Sequence, residues 1–246
     1  DLHIEAVGGA LALIRLAKGL KPEYSHSVSA SADLYHSFGR LQANLLVEGF
    51  YTMLNNVFTL VRIGENEDGS IVYWERRNGS GATVAGVNFE GKIGIPHRFE
   101  LQLGYTLQSS RYDTPERWSD QLAPQRKMFR APDHYGYLTS LFDITPRFKA
   151  SLFGTYTGSM LVKHILSDGT NETDLEQNTP SFWDMGIKLA YTFRIGKAVN
   201  LEVNTGVKNI FDAYQKDLDY GAFKDADYVY GPSLPRMYFV GIKFSI

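Results

Sequence analysis

GVKNIFDAYQKDLDYGAFKDADYVYGPSLPRMYFVGIKFSI, residues 206–246, closes the chain and decides how the rest is read. Leading into it, Val199, Leu201, Val203, Thr205 and Val207 alternate with Asn200, Glu202, Asn204, Gly206 and Lys208, the period-2 pattern of a strand with one apolar face. A loop rich in Asp, Tyr and Gly follows. From Met237 the alternation returns, with Tyr238, Val240, Ile242, Phe244 and Ile246 apolar and Gly241, Lys243 and Ser245 between them. A chain that stops on so continuous an apolar strand face needs a neighbour for its edge, which a membrane barrel supplies by closure.

The same reading extends backward. Phe99, Leu101, Leu103, Tyr105 and Leu107 alternate with Glu100, Gln102, Gly104, Thr106 and Gln108; Phe148 to Tyr156 and Trp183 to Phe193 repeat the pattern. Leu41 to Thr52, Val87 to Ile93 and Val28 to Leu34 add further strands, while Tyr135 to Asp143 is less regular. Phe38-Gly39-Arg40, IPHR, Thr145-Pro146-Arg147 and IGKA are short turns. GENEDGS (64–70), 113–133, 166–180 and the last loop are long. Connections that alternate between short and long are those of an outer-membrane barrel, whose turns are short on the periplasmic side and long outside. The expected fold is an all-β, antiparallel transmembrane β-barrel, about nine strands of a larger barrel. Its domains are a loop segment, 1–22, irregular around Gly8 and Gly9, and a partial barrel, 23–246.

Composition agrees with this class. Among 246 residues there are 15 Tyr, 15 Phe, 23 Gly and no Cys, which suits tight turns and interfacial aromatic girdles and excludes a disulfide framework. A net charge of -2 gives no reason to expect nucleic acid. There is no run of about 18 apolar residues, so no helical span is expected, whereas a barrel strand needs only about 9 to 11. The inward row, including Glu48, Glu90, Lys92, Glu100, Lys149, Asp184, Lys188, Arg194, Glu202 and Lys208, carries both signs, as a polar lumen does. Trp183, Tyr51 and Tyr238 are expected at the outer girdle, and Leu201 near the midplane.

GVKNIFDAYQ and YVYGPSLPR before a terminal amphipathic strand, together with LKPE at Leu20–Glu23, resemble the carboxyl end of TonB-dependent outer-membrane receptors. Ile246 stands where that family ordinarily ends in Phe. The resemblance implies a 22-stranded barrel with an amino-terminal plug, of which these residues cover the carboxyl part, with plug and TonB box absent from them. It implies energised uptake of a scarce nutrient such as a ferric siderophore, haem or cobalamin, in the bacterial outer membrane, without catalysis. Its partners would be TonB acting on a plug domain outside this chain, the missing amino-terminal strands, and outer-membrane lipid and lipopolysaccharide. A surface lipoprotein is admitted as a further one.

Chemistry-bearing motifs are few. There is no GxSxG, HExxH or phosphate loop, and His3, His26, His36, His97, His134 and His164 lack zinc spacing, so no metal or cofactor is expected. Asp212, Asp217, Asp219, Asp225 and Asp227 hold either Ca²⁺ or only water, and their spacing is not that of an EF-hand. Trp118, Arg126, Lys127, Phe129 and Arg130 form a cationic, aromatic loop suited to an anionic chelate. Tyr220, Phe223, Tyr228 and Tyr230 are ligand candidates too; the alternative for the first group is lipopolysaccharide contact or plain solubility, and for the second packing against neighbouring loops. Outside the importer class remain a barrel-embedded hydrolase, which needs a compact Asp/His or Ser/His pair, and a soluble β-sandwich adhesin.

Overall fold

The computed structural model describes residues 3–7, 10–67, 71–196 and 199–245, with side chains from Leu13 onward. Gly8, Gly9, the end of GENEDGS, the Lys197-Ala198 part of IGKA and the terminal Ile246 lie outside the described residues. Sixteen strands are formed among them. The first two are β1 (His3–Val7) and β2 (Ala10–Leu16). Then come β3 (Tyr24–Phe38), β4 (Leu41–Asn55), β5 (Phe58–Glu65), β6 (Ile71–Asn78), β7 (Ala82–Ile95) and β8 (Phe99–Glu116). β9 (Gln125–Lys127), β10 (His134–Asp143), β11 (Phe148–Thr157), β12 (Leu161–Ser167) and β13 (Glu172–Asn178) follow. The last are β14 (Phe182–Ile195), β15 (Val199–Lys208) and β16 (Met237–Ser245).

Nine long strands make one antiparallel sheet in the order β16-β15-β14-β11-β10-β8-β7-β4-β3, with short β9 hung on β8. The expected count of about nine is this sheet. It is open: among the described residues β3 pairs only with β4, and β16 only with β15. The tight turns between strands hold Gly39 (φ 64°), His97 (φ 61°) and Gly196 (φ 66°) in the left-handed region, so each connection reverses within a few residues. All of these turns lie at one end of the sheet and all long loops at the other.

Two expectations change. Within the segment 1–22, His3–Val7 and Ala10–Leu16 are strands and not irregular, β1 pairing antiparallel with β2, which in turn runs parallel to β6. Their backbone groups find partners in a separate sheet, β1-β2-β6-β5. The loop 166–180 likewise contains most of the β12–β13 hairpin. A strand-by-strand scan misses both, since short extramembrane strands lack a long apolar face.

One face of the nine-stranded sheet is a polar ladder. Asn88 donates to Glu48 (3.0 Å) and accepts from Thr106 (2.8 Å). Gln102 donates to Glu90 (2.7 Å) and to the Tyr137 hydroxyl (3.0 Å), and Lys92 pairs with Glu100 at 2.9 Å. These groups satisfy one another across strands, the arrangement of a water-lined or plugged lumen. Large rings on this face lie across glycines directly opposite: Phe50 over Gly86, Tyr137 over Gly104, Phe153 over Gly186 and Phe239 over Gly206. A ring laid over a bare backbone restores the packing that glycine lacks. This explains the weak alternation of β10: Tyr137 points inward onto Gly104, while Gly136 and Ser140 take outward positions.

The outward face is apolar and banded. Trp183 and Tyr191, Tyr156 and Phe148, and His134 and Phe142 are each eight residues apart on their strands, about 26 Å along the chain and roughly 20 Å along the membrane normal at ~40° tilt. The register carries the outer girdle across strands. Tyr105 faces Phe89, and Tyr51 faces Ala85, four residues earlier on β7. Tyr238 faces Val207, which faces Ile187, four residues beyond Trp183. Tyr51 and Tyr238 are thus offset by eight residues over seven strand steps, about 3.8 Å of slide for each ~4.8 Å step, the slope of a barrel tilted by roughly 40°.

This slope corrects the position of Leu201, which pairs with Phe193 and Phe244 at the periplasmic girdle. The midplane residue of β14, halfway between Trp183 and Tyr191, is Ile187, outward beside the inward Lys188. In the complete receptor containing this chain, Ile187→Arg is expected to lower unfolding free energy by about 2 to 4 kcal/mol, with Leu201→Arg well below that. Lys188→Gln should change it little; denaturant titration in bilayers reads all three, and equal costs would refute the facing.

Candidate functional site

At the long-loop end, three connections fold into one body. The last loop, 209–236, is pinned at its base by the buried Asn209, whose amide donates to Ala213 O and Leu234 O (2.9 Å each) and whose carbonyl accepts from Ala213 N (2.8 Å). Asp212 accepts from Arg236 N at 2.8 Å, tying the two ends together. Asn is among the few residues that tolerate φ > 0, and Asn209 sits at φ 51°.

Higher in the loop, Tyr228 (1% exposed) and Tyr230 pack with Val162 of β12 (0%) and Phe182 at the start of β14. Gln215 holds their backbone, donating to Tyr228 O (3.0 Å) and accepting from Tyr230 N (2.9 Å). Both phenols donate to Asp217. Burial, then the carboxylate, pushes Tyr230 up to about 12 and Tyr228 further in the same direction. Burial opposes the charge on Asp217, but the two phenol bonds outweigh it and hold that carboxyl below its usual range.

The β12–β13 hairpin plugs into this loop. His164 is 5% exposed, lies flat on Tyr228 (3.5 Å between centroids, 4° between planes), and reaches Asp219 through Nε2 at 2.9 Å. The buried Asp225 accepts from Ile165 N at 2.8 Å. The opposite side of β12 presents Lys163, its ammonium 5.1 Å from the Trp118 ring and 4.9 Å from Phe129. Trp118 donates to Glu176 at 2.9 Å. Desolvation pulls the ammonium of Lys163, a residue exposed in part, below its usual range, against the pull of Asp227 and Glu176. Arg130 completes the join: its backbone N–H donates to Leu161 O (2.8 Å), and its guanidinium to Val229 O (2.8 Å) and Asp227 O.

The nine ligand candidates therefore occupy two kinds of place. Trp118, Phe129, Arg130, Tyr228 and Tyr230 are engaged in joining loops. Lys127 pairs with Asp133 at 2.7 Å. Arg126 is exposed, as are Tyr220 (83%) and Phe223 (54%), the latter over Gly169 at φ 88°. Tyr220 and Phe223 wall a recess of about 260 Å³ with Leu166, Ser167, Asp219 and Lys224. Sequence reading missed Lys224, Leu166 and His164; only the packing of hairpin on loop brings them to one place.

Among the described residues no cluster of three His, Asp or Glu is arranged to hold a metal ion. The last-loop carboxylates Asp212, Asp217, Asp219 and Asp225 instead accept protein hydrogen bonds. The His164–Asp219 pair has the make-up of a hydrolase dyad, yet a general base must reach its substrate. This imidazole is covered by Tyr228.

A family profile described as TonB dependent receptor-like, beta-barrel, matches residues 7–210. No curated protein matches the sequence. Solved structures share the fold. One is the ferric-catecholate import receptor Fiu from E. coli K12, with TM-score 0.60, 22% identity, and coverage of 93% of this chain and 28% of that one. Another is the ferripyoverdine receptor of the Pseudomonas aeruginosa outer membrane, with TM-score 0.58, 16% identity, and coverage of 92% and 27%. A third is the copper transporter OprC, with TM-score 0.60, 14% identity, and coverage of 94% and 33%. This chain spans about a third or less of the length of each.

Removing one phenol tests the joined loops. Tyr228→Phe is expected to cost the loop body about 1 to 2 kcal/mol, read as faster amide exchange at Ile165 and Tyr230 with β14 and β15 unchanged. The pH window follows from the shifts. The depressed Asp217 contributes stability above the usual carboxylate pKa that is lost as pH falls through its folded value. The raised tyrosines favour the neutral phenol, so the loop body loosens as pH climbs from about 10. Protection factors, that is exchange rates referred to the intrinsic rate at each pH, that stay flat from pH 3 to 12 would refute both assignments.

Proposed function

Because the chain belongs to the TonB-dependent receptors, as part of their β-barrel, we propose that it forms membrane wall and outer loops of an importer for a scarce metal chelate. It is a protein of the bacterial outer membrane. The nine-stranded sheet with its polar inner face is one portion of a barrel around a plug domain, and TonB acts on that plug to drive transport. The substrate reading is a ferric siderophore first, with haem or cobalamin as alternatives. The names of the similar structures, which include ferric-catecholate, ferripyoverdine and copper receptors, support a metal-bearing cargo.

The observation that carries the reading is the recess at the hairpin tip. Tyr220 and Phe223 stand exposed beside Lys224, on loops otherwise locked together by Arg130, His164 and the paired tyrosines. Exposed aromatics on a rigid support lose little conformational freedom on binding, and with a cation beside them they suit a planar, anionic ligand. The second group, Trp118, Phe129, Arg130, Tyr228 and Tyr230, supports the site by holding the loops; on β9 Arg126 is exposed and Lys127 is paired with Asp133. No reaction is proposed: among the described residues the Asp/His pair is His164–Asp219, whose imidazole is buried, and the similar structures are named as receptors and a transporter.

Tyr220→Ala and Phe223→Ala in the complete receptor are each expected to weaken binding of the cognate ferric chelate about tenfold, leaving heat-modifiability of the barrel unchanged. Fluorescence quenching against a panel of ferric siderophores, haem and cyanocobalamin identifies the cargo. Unchanged affinity in both variants would overturn the site, and hydrolysis of lipid or peptide by the purified receptor would revive the barrel-embedded hydrolase.

A further inference from the structure

The phenol cluster of the last loop holds more than a brace requires. Tyr228 Oη lies 2.7 Å from Asp217 Oδ2 and 2.5 Å from Gln177 Oε1, and Tyr230 Oη donates to the other oxygen of the same carboxylate. Five oxygens thus converge: two phenols, both carboxylate oxygens and the amide oxygen of a residue on β13. Each phenol has a single proton to give, so acceptors outnumber protons. A brace needs only one bond for each ring, and contacts with Val162 and Phe182 already pack both rings.

The rings are fixed from behind and the carboxylate from the surface. Tyr228 and Tyr230 meet edge to face, 5.4 Å between centroids and 74° between planes, and both hydroxyls reach one carboxylate. His164 stacked on Tyr228, and Phe182 against Tyr230 at 5.9 Å between centroids, hold the rings in that attitude. Asp217 itself is exposed, whereas the two tyrosines are 1% and 7% exposed. The oxygens therefore stand at the boundary of the small core, with packed support on one side and solvent on the other, which is the layout of a preorganised ligand set.

The chemistry of the donors selects the ion. Phenolate and carboxylate oxygens are hard donors that favour hard cations, and tyrosinate is an iron ligand in its own right. With both phenols ionised, two phenolates and one carboxylate carry three negative charges, which a trivalent ion neutralises and a divalent ion does not. An octahedral ion with its oxygens at about 2.0 Å sets neighbouring ligands about 2.8 Å apart, close to the spacing between Tyr228 and its two acceptors. We propose that Asp217, Tyr228 and Tyr230, with the Gln177 amide oxygen, form a binding site for ferric iron separate from the recess at Tyr220 and Phe223. On loading, each phenol gives its proton to water and its oxygen bonds the ion in place of a hydrogen bond. The carboxylate binds the ion that replaces those two protons, water or chelate oxygens leave the ion, and the iron stays ferric throughout. Tyr228 and Tyr230 lie 11 and 13 residues beyond Asp217, and Gln177 is 51 residues from Tyr228, so no sequence spacing marks the site. The inference goes beyond the import reading and does not depend on which chelate the recess takes.

The test loads the complete receptor, purified in detergent and freed of chelate, with ferric nitrilotriacetate. Retained iron is counted after desalting, and its ligands are read by visible absorption and resonance Raman spectroscopy. Wild type is expected to retain a single ferric ion with a phenolate-to-iron charge-transfer band and resonance-enhanced tyrosinate modes. Tyr228→Phe and Tyr230→Phe should each weaken iron retention about a hundredfold, and Asp217→Asn about tenfold; the double phenylalanine variant should lose the band. Amide exchange in β12 checks the loops, and if the phenylalanine variants loosen them, the wild-type spectrum and the surface variant Asp217→Asn carry the test. No retention by wild type, iron retained without tyrosinate modes, or modes that persist in the double variant would each overturn the proposal. Tyr220→Ala is loaded in parallel and should keep the band. Its siderophore affinity tests the recess alone, so that failure of that reading and failure of this one show in different measurements.

Discussion

Backbone N–H and C=O groups cannot be left unpaired in hydrocarbon, and the rest of the molecule depends on that constraint. A strand in the bilayer must bond to a neighbour along both edges, and in the nine-stranded sheet seven strands do so on both sides. β3 and β16 have one partner each among the described residues. Their free edges are the places where the relatives' additional strands belong in a barrel of which this chain is a part. The strongly exposed side chains of β3 follow from the same fact, since no further strand shields them.

Given a sheet, side chains divide by face, and glycine adjusts the fit. On the inward face, rings laid across Gly86, Gly104, Gly186 and Gly206 join neighbouring strands without an apolar core. The Glu48–Asn88–Thr106 and Glu90–Gln102–Tyr137 chains serve the polar groups in the same way. Outward, the girdles fix depth, and the offset between Tyr51 and Tyr238 measures tilt. A barrel wall of this type has no buried core in the globular sense; its few fully buried side chains lie mainly in the extramembrane loops.

Those loops are where a compact interior is built. Val162, Phe182, Tyr228 and Tyr230 form a small core that the hairpin, the last loop and the start of β14 share. Arg130 binds it to the β8–β10 connection. Ligand-binding surfaces need exposed groups on a support that does not yield, and this arrangement separates the two tasks. Buried tyrosines brace the loops, while Tyr220 and Phe223, only a few residues away in sequence, face outward.

Strand existence, facing and the alternation of short turns with long loops were readable from the period of two, because a bilayer demands an apolar outward row on every spanning strand. The family was readable from the GVKNIFDAYQ and YVYGPSLPR segments. Other features depended on contacts between residues far apart in the chain. Whether Tyr228 and Tyr220 point into packing or into solvent depends on where the β12–β13 hairpin docks, and two tyrosines eight residues apart look alike until it does. The β1–β2 hairpin escaped the pattern because its partner strand, β6, lies some sixty residues away. Membrane depth was likewise undecided along any single strand: Leu201 read as a midplane residue until cross-strand register set it level with Phe193 and Phe244. Local alternation fixes which way a side chain faces; only the tilt and register of the whole sheet fix how deep it sits and what covers it.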